Sequence, residues 1–182
     1  EHLDYHKTYA NYLATKAKLF MGSKHAVLNQ DDSSFDPVKK LLPSTVTIHP
    51  YSPSALSIKP IRQAQGEHLA AAKLRFAEPY NLSNASAAAT ASRILGVSDS
   101  IIAKAIKSFP GVTGRMQDIP NHRGIRIVVD FAHTPNALES ALTALRSKPY
   151  ALRGKLIAGY GRAGLRDSRK RPVMGDIGSK LA

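Results

Sequence analysis

The sequence predicts an α/β fold, and three stretches carry that prediction. Ile127–Val129 is a short, unbroken apolar run, which is typical of a strand buried on both faces of a parallel sheet. Thr134 and Pro135 follow as a good N-cap and a good first helical residue, and the apolar spacing over residues 137–145 predicts a helix behind them. Residues 155–160, KLIAGY, have the composition of a second parallel strand.

A carboxylate, Asp130, stands at the end of the first of these strands. Ligands of open α/β sheets bind at the carboxyl ends of strands, so Asp130 is a candidate binding residue. The turn that follows is DFAHTP and not G-x-G-x-x-G, so it does not indicate a dinucleotide site. From the spacing alone, a purely structural βα turn remains an equal alternative.

The first half of the chain also alternates between helices and strands. Strands are predicted at residues 25–29 and 45–48, with an edge strand at 57–61. Helices are predicted over residues 9–20, 36–42 and 69–76. Another is predicted to begin at Ser83 or Asn84 and to end at Gly96, and Ser98 is predicted to cap the next one. The residues of that last helix expected to face a core are Ile101, Ile102, Ala105, Ile106 and Phe109. Gly111 and Gly114 predict a bend, and residues 118–124 a hinge between domains.

Composition bounds the function. The chain has 182 residues, no cysteine and a formal charge of +13. Disulfides and thiolate metal sites are therefore excluded, and anionic partners are favoured, whether nucleic acid, acidic membranes or phosphorylated and carboxylated small molecules. With no apolar run of eighteen residues and no visible signal peptide, we expect a soluble, cytoplasmic protein without membrane insertion.

Four motifs in combination resemble one family. They are HLDYH with a lysine at position 16, GRM at 114–116, VVDFAHTPNALESAL from position 128, and GLRDSRKRPVMG from position 164. Together they resemble the Mur ligases, most closely the branch of UDP-N-acetylmuramoyl-tripeptide synthetases. Phe131, Asn136 and Gln117 depart from the family pattern, and Gln117 puts in doubt any ion pair made by the glutamate usual there. Residues 43–79 do not match the family well.

The resemblance implies two incomplete domains. Residues 1–116 would be the C-terminal portion of a central P-loop-type ATPase domain, and residues 117–182 the start of a Rossmann-like C-terminal ligase domain. The motif G-x-x-x-x-G-K-[ST] does not occur in the sequence. We therefore expect an internal piece of a longer ligase, inactive by itself and monomeric.

The resemblance also implies the site residues. His2 and a CO2-carboxylated Lys16 would hold Mg2+, with Lys16 counted as catalytic. Arg115 would reach the phosphates of ATP and count as catalytic as well. Asn84 would lie beside the adenine, Asp130 at the ribose, and Arg166 at the incoming amino acid.

Two of these residues have simpler explanations. Lys16 shares a predicted helix face with Leu13 and Phe20, and its stem could cover apolar surface while the ammonium stays in water. A desolvated, reactive amine is the alternative that the resemblance favours. Asn84 could be a simple N-cap.

The activity implied is ATP-dependent amide-bond formation in peptidoglycan precursor synthesis. A diamino acid, diaminopimelate or lysine, would be added to UDP-N-acetylmuramoyl-L-alanyl-D-glutamate through an acyl phosphate, with ATP and Mg2+. Two alternatives remain open. One is another ligase of the same architecture, such as a folylpolyglutamate or cyanophycin synthetase. The other is a non-enzymatic basic module that binds nucleic acid, which the charge alone favours and the lack of interleaved aromatic residues disfavours.

Overall fold

The computed structural model describes residues 6–53, 78–147, 154–161 and 170–182. The chain forms two compact units, Glu1–Pro110 (unit 1) and Gly111–Ala182 (unit 2). The predicted edge strand at 57–61 and the helix at 69–76 lie outside the described residues. The boundary predicted after residue 116 stays a prediction.

Unit 1 is built from helices around a pair of parallel strands. In chain order its described elements are α1 (Tyr9–Ala17), β1 (His25–Asn29), α2 (Phe35–Leu41), β2 (Thr47–Tyr51), α3 (Pro79–Ile94) and α4 (Asp99–Ser108). Strands β1 and β2 pair in parallel, with His25 opposite Thr47 and Asn29 opposite Tyr51. The first strand is confirmed as predicted, whereas the second begins two residues later than the sequence suggested.

The core of unit 1 lies between this strand pair and helices α1 and α2. Alternate residues of β1 point inward, because a strand has a side-chain period of two. The buried members of the core are Leu13, Ala26, Leu28, Val38 and Val46, with Phe20, Phe35, Leu42 and Ile48 packed against them. On α1, Leu13 and Ala17 are buried, while Tyr9 is 51% exposed. The α-helix ends at Ala17, and residues 18–20 of the helix predicted over 9–20 form a single 3-10 turn instead.

Helix α3 begins earlier than predicted. Its first residue is Pro79, with Glu78 as the N-cap. Proline suits the first helical position because no backbone donor is needed there. Gly96, at φ +81°, ends the helix as expected, and the Val97 amide donates to the Ser92 carbonyl in a Schellman arrangement.

Helix α4 buries less than its pattern predicted. Ser98 is its N-cap residue, and Ile102 is buried, but Ile101 is 60% and Phe109 43% exposed. In the described part of unit 1, α4 packs on α3. One neighbouring helix covers only a narrow stripe of a helix surface, which explains why the rest of the apolar face stays in water.

Unit 2 opens with a hairpin instead of a parallel sheet. Strands β3 (Gln117–Ile119) and β4 (Ile127–Val129) pair antiparallel, with Gln117 opposite Val129. Both predictions for this segment are therefore wrong: residues 118–124 are not a hinge, and β4 is not buried on both faces, since Val129 is 44% exposed. An apolar run favours burial, but it does not specify which neighbour supplies it.

The core of unit 2 lies between α5 (Pro135–Arg146) and α6 (Lys170–Leu181). Leu138, Leu142 and Met174 form its buried centre. Residues 155–160 were predicted as a strand, yet no strand is assigned to them among the described residues. Leu156 and Ala158 nevertheless pack on this core, while Ile157 between them is 88% exposed. The side chains therefore alternate between buried and exposed as in a strand, although no described strand pairs with this segment.

The helices that the structure describes include none that is both long enough and apolar enough to cross a membrane.

Candidate nucleotide-phosphate site

The candidate site in unit 2 begins at the βα turn between β4 and α5. Thr134 is buried, and its Oγ1 accepts a hydrogen bond of 3.3 Å from the Ala137 amide, so it caps α5 as predicted. Pro135 occupies the first helical position. The capped helix fixes the direction in which residues 130–133 leave the strand.

Asp130 ties this turn to a second segment, residues 114–117, which we call the GRM strap. Its Oδ2 accepts the Met116 amide at 2.8 Å, and its Oδ1 accepts the Ala132 amide at 2.8 Å. Gln117 pairs with Val129, so Met116 and Asp130 stand one step beyond the last pair of the ladder. The Asp130 carboxylate therefore links the two segments by a side-chain hydrogen bond just beyond the point where the backbone hydrogen bonds of β3 and β4 end.

The GRM strap is tightly turned. Gly114 has φ +70° and Met116 has φ +45°, a left-handed conformation that costs a non-glycine residue about 1–2 kcal/mol. The side chain of Gln117 accepts the Gly114 amide at 2.9 Å. At this position Gln117 thus shapes the turn through a neutral hydrogen bond, and the bend predicted at Gly111 and Gly114 is confirmed by their positive φ angles.

Arg115 stands at the tip of the strap and is exposed. Its guanidinium carbon lies 4.5 Å from the centre of the Phe131 ring, and the His133 ring packs edge-on against Phe131 at 4.9 Å. A cation over an aromatic face at an exposed site gains about 0.5–1 kcal/mol. The structure therefore brings Arg115 and Asp130, predicted separately, into one cluster through the strap and the turn.

The hairpin beneath the strap is fastened by an ion pair. Arg126 donates two hydrogen bonds to the Asp118 carboxylate, at 2.5 and 2.8 Å. The two side chains belong to the paired segments on either side of the loop, and the bidentate geometry fixes both. The hairpin gives the site a defined base.

Lys16 lies in unit 1 on α1. It is exposed, and its Nζ stands 5.8 Å from the centre of the Tyr12 ring. Burial therefore does not desolvate its amine, so the desolvated amine that the resemblance favours is not what the structure shows. Its carboxylation stays a prediction.

Asn84 lies inside α3 and does not cap it, because the helix already begins at Pro79. Its side chain is exposed. The neighbouring Asn81 donates to the Glu78 carboxylate at 3.1 Å, so the polar group at this helix start is Glu78. The simple N-cap explanation for Asn84 is wrong, and its proposed contact with adenine stays a prediction.

His2 and Arg166 lie outside the described residues. Across the parts of the chain that the structure covers, no group of three or more histidine, aspartate or glutamate side chains could hold a metal ion. The described residues therefore do not by themselves fit Mg2+, and the ligand roles of His2 and Lys16 stay predictions.

The cluster has the chemistry to bind a nucleotide. Arg115 offers a permanent cation with several donors to an anion. A carboxylate has about four acceptor positions, and two of those on Asp130 are used by the amides of Met116 and Ala132. Counting the contacts of the described residues alone, one acceptor position on each oxygen remains for a pair of hydroxyl groups.

Sequence reasoning missed the residues that join the two predicted ones. The Met116 amide and the Phe131 ring had no role assigned, although Phe131 directly follows Asp130 in the turn. Its position beside a candidate binding residue was the available signal. The partner of that ring, Arg115, could not be identified without the fold.

Two family models match the chain. The Mur ligase middle domain matches residues 1–92, and the Mur ligase glutamate ligase domain matches residues 114–182. The fold therefore places the chain in a class of ligases that contain these two domains. The chain belongs to the Mur ligase family.

Its relatives include UDP-N-acetylmuramoyl-L-alanyl-D-glutamate–2,6-diaminopimelate ligases. The protein of that name from Clostridium botulinum is 33% identical over all of this chain, and the one from Nostoc sp. is 37% identical. The chain spans about 40% of the length of each relative.

Two solved structures share the fold. A UDP-N-acetylmuramoyl-L-alanyl-D-glutamate–2,6-diaminopimelate ligase aligns with a TM-score of 0.54 and 26% identity, over 100% of this chain and 40% of that one. E. coli FolC in complex with DHPP and ADP aligns with a TM-score of 0.56 and 22% identity, over 82% of this chain and 36% of that one. The second likeness concerns the fold alone.

Proposed function

We propose that this chain is part of an ATP-dependent ligase that adds a diamino acid to UDP-N-acetylmuramoyl-L-alanyl-D-glutamate. The observation that carries the proposal is the alignment of the entire chain with ligases named for this reaction. The names of those relatives favour diaminopimelate over lysine as the amino acid. The Arg115–Asp130 cluster supplies the matching chemistry, a cation and a carboxylate held together beside a capped helix.

The proposed reaction has two steps. The terminal carboxylate oxygen of the acceptor attacks the γ-phosphorus of ATP, and the bond to ADP breaks. The amine of the diamino acid then attacks the acyl carbon, phosphate leaves, and the nitrogen gives up a proton. Both steps concentrate negative charge on phosphoryl oxygens, which fixed donors stabilise.

The residues of this chain would bind ATP and orient it for the first step. Arg115 donates to the phosphate oxygens of ATP, and Asp130 accepts the ribose hydroxyls at its two remaining acceptor positions. Asn84 contacts the adenine. Lys16, when carboxylated, and His2 would hold the Mg2+ that offsets phosphate charge.

The test is a ligation assay on the longer protein that contains this chain. Phosphate release must require ATP, the UDP-linked dipeptide and the diamino acid together, and the product must be the tripeptide by mass spectrometry. Arg115→Ala should lower kcat/KM for ATP by roughly ten-fold or more, as expected when a charge-assisted contact is lost. Arg123→Ala, an exposed arginine in the loop of the hairpin, is the matched control.

Other outcomes would contradict the proposal. Amide formation with a different acceptor would assign the chain to another ligase of this fold. Salt-sensitive nucleic-acid retention on filters without any ligation would favour a basic binding module.

A further inference from the structure

The aromatic residue next to Asp130 carries an inference beyond the proposed function, on which it rests. Phe131 is 59% exposed. It makes no part of the buried centre of unit 2, which consists of Leu138, Leu142 and Met174. Its described contacts are instead the Arg115 guanidinium on its face and the His133 ring at its edge.

The backbone around this contact is fixed on both sides. On one side, the Asp130 carboxylate holds the Met116 amide and Gln117 holds the Gly114 amide, so the residue between them, Arg115, is presented from an anchored strap. On the other side, Phe131 lies between Asp130 and a turn whose helix is capped by Thr134. The long Arg115 side chain is the part with remaining freedom.

An unrestrained arginine side chain samples many rotamers, and ordering it on binding costs free energy. A guanidinium plane resting on an aromatic face loses part of that freedom in advance. We propose that Phe131 is a positioning residue that holds the Arg115 guanidinium ready for the phosphates of ATP.

Two variants distinguish positioning of Arg115 by the Phe131 ring from a simple space-filling role of that side chain. Phe131→Leu keeps an apolar side chain but removes the π face, and kcat/KM for ATP should fall about two- to five-fold, with KM for the amino acid unchanged. Phe131→Tyr keeps the face and should stay within two-fold of the unaltered enzyme. Phe109→Leu, the same change at an exposed phenylalanine of unit 1, is the control and should alter neither constant.

A double-mutant cycle tests whether Phe131 acts through Arg115. If it does, Phe131→Leu has no further effect once Arg115→Ala is present, because the two changes remove the same interaction. A full effect of Phe131→Leu in the Arg115→Ala background would mean that Phe131 contacts the nucleotide itself, and would overturn the inference.

A spectroscopic readout is independent of turnover. The side-chain protons of Arg115, observed in arginine-labelled protein, should be shifted upfield by the Phe131 ring and should move downfield in Phe131→Leu. Normal ligation without this shift would defeat the inference and leave the proposed function intact. Absence of any ATP-dependent ligation would defeat the proposed function, and the role toward ATP would fall with it.

Discussion

The ring of Tyr160 occupies the space that a side chain on Gly178 would need. A Cβ on Gly178 would stand 2.9 Å from two carbons of that ring, closer than real Cβ contacts come. The ring cannot easily withdraw, because its hydroxyl donates to the Met174 carbonyl at 2.9 Å. This contact joins the segment before residue 162 to helix α6.

We expect Gly178→Ala to destabilise the protein by about 1–3 kcal/mol, the usual cost of overpacking. Gly175→Ala on the same helix is the matched control. Nothing lies within 4 Å of a Cβ at Gly175. Alanine there should therefore leave the free energy of unfolding unchanged or raise it by up to about 1 kcal/mol, because alanine has the higher helix propensity. Urea unfolding of both variants measures the difference, and equal midpoints would contradict the packing assigned to Tyr160.

Lys16 provides a test of carboxylation. Lys16→Ala should lose most ligase activity, and added bicarbonate or a short carboxylate should restore part of it by replacing the missing oxyanion. Lys16→Arg should be equally inactive, because a guanidinium keeps its charge and cannot take up CO2. Lys18→Arg, at an exposed lysine just beyond α1, should retain activity. An active Lys16→Arg enzyme would indicate that Lys16 is an ordinary surface lysine.

Arg166 is predicted to hold the carboxylate of the incoming amino acid through two parallel hydrogen bonds. Arg166→Lys should therefore raise KM for the amino acid by roughly ten-fold or more and leave KM for ATP unchanged. Arg169→Lys, in the same basic stretch, is the control and should change neither constant. Equal weakening of both substrates by Arg166→Lys would show a general anion site.

Asp32 gives a pH-dependent contribution to stability. Hydrogen bonds from the Ser34 hydroxyl, at 2.5 Å, and from the Ser34 amide, at 2.8 Å, lower the pKa of the Asp32 carboxyl below its usual value of 3.8. Because the pKa is lowered in the folded state, the contribution is present above pH 3.8 and is lost as the pH falls through the lower folded pKa.

Ser34→Ala should therefore raise the pKa of Asp32 toward 3.8 and cost more stability at pH 7 than at pH 3. Carbon-13 NMR titration of the Asp32 carboxyl measures the first effect, and urea unfolding at the two pH values measures the second. Ser33→Ala, at the adjacent exposed serine, is the control. The same loss of stability at both pH values would show that Ser34 acts independently of the Asp32 charge.

The sequence by itself determined the features that depend on neighbours along the chain. Thr134 and Pro135 predicted the start of α5, and Gly96 predicted the stop of α3, because capping needs only residues within one turn of the helix end. Strand β1 was predicted over its full length. The motifs from the GRM strap to DFAHTP likewise identified the family now shown by the two domain models.

Only the tertiary structure decided what depends on residues far apart in the chain. It showed that β4 pairs with β3 as a hairpin, that Asp130 holds the Met116 amide, and that Phe131 lies under Arg115. The type of a residue, apolar or charged, indicates what kind of partner it favours, but many distant segments of the chain contain such a partner. The choice is made when strand pairing brings one segment against another, and that pairing depends on packing across the whole unit instead of on any local pattern.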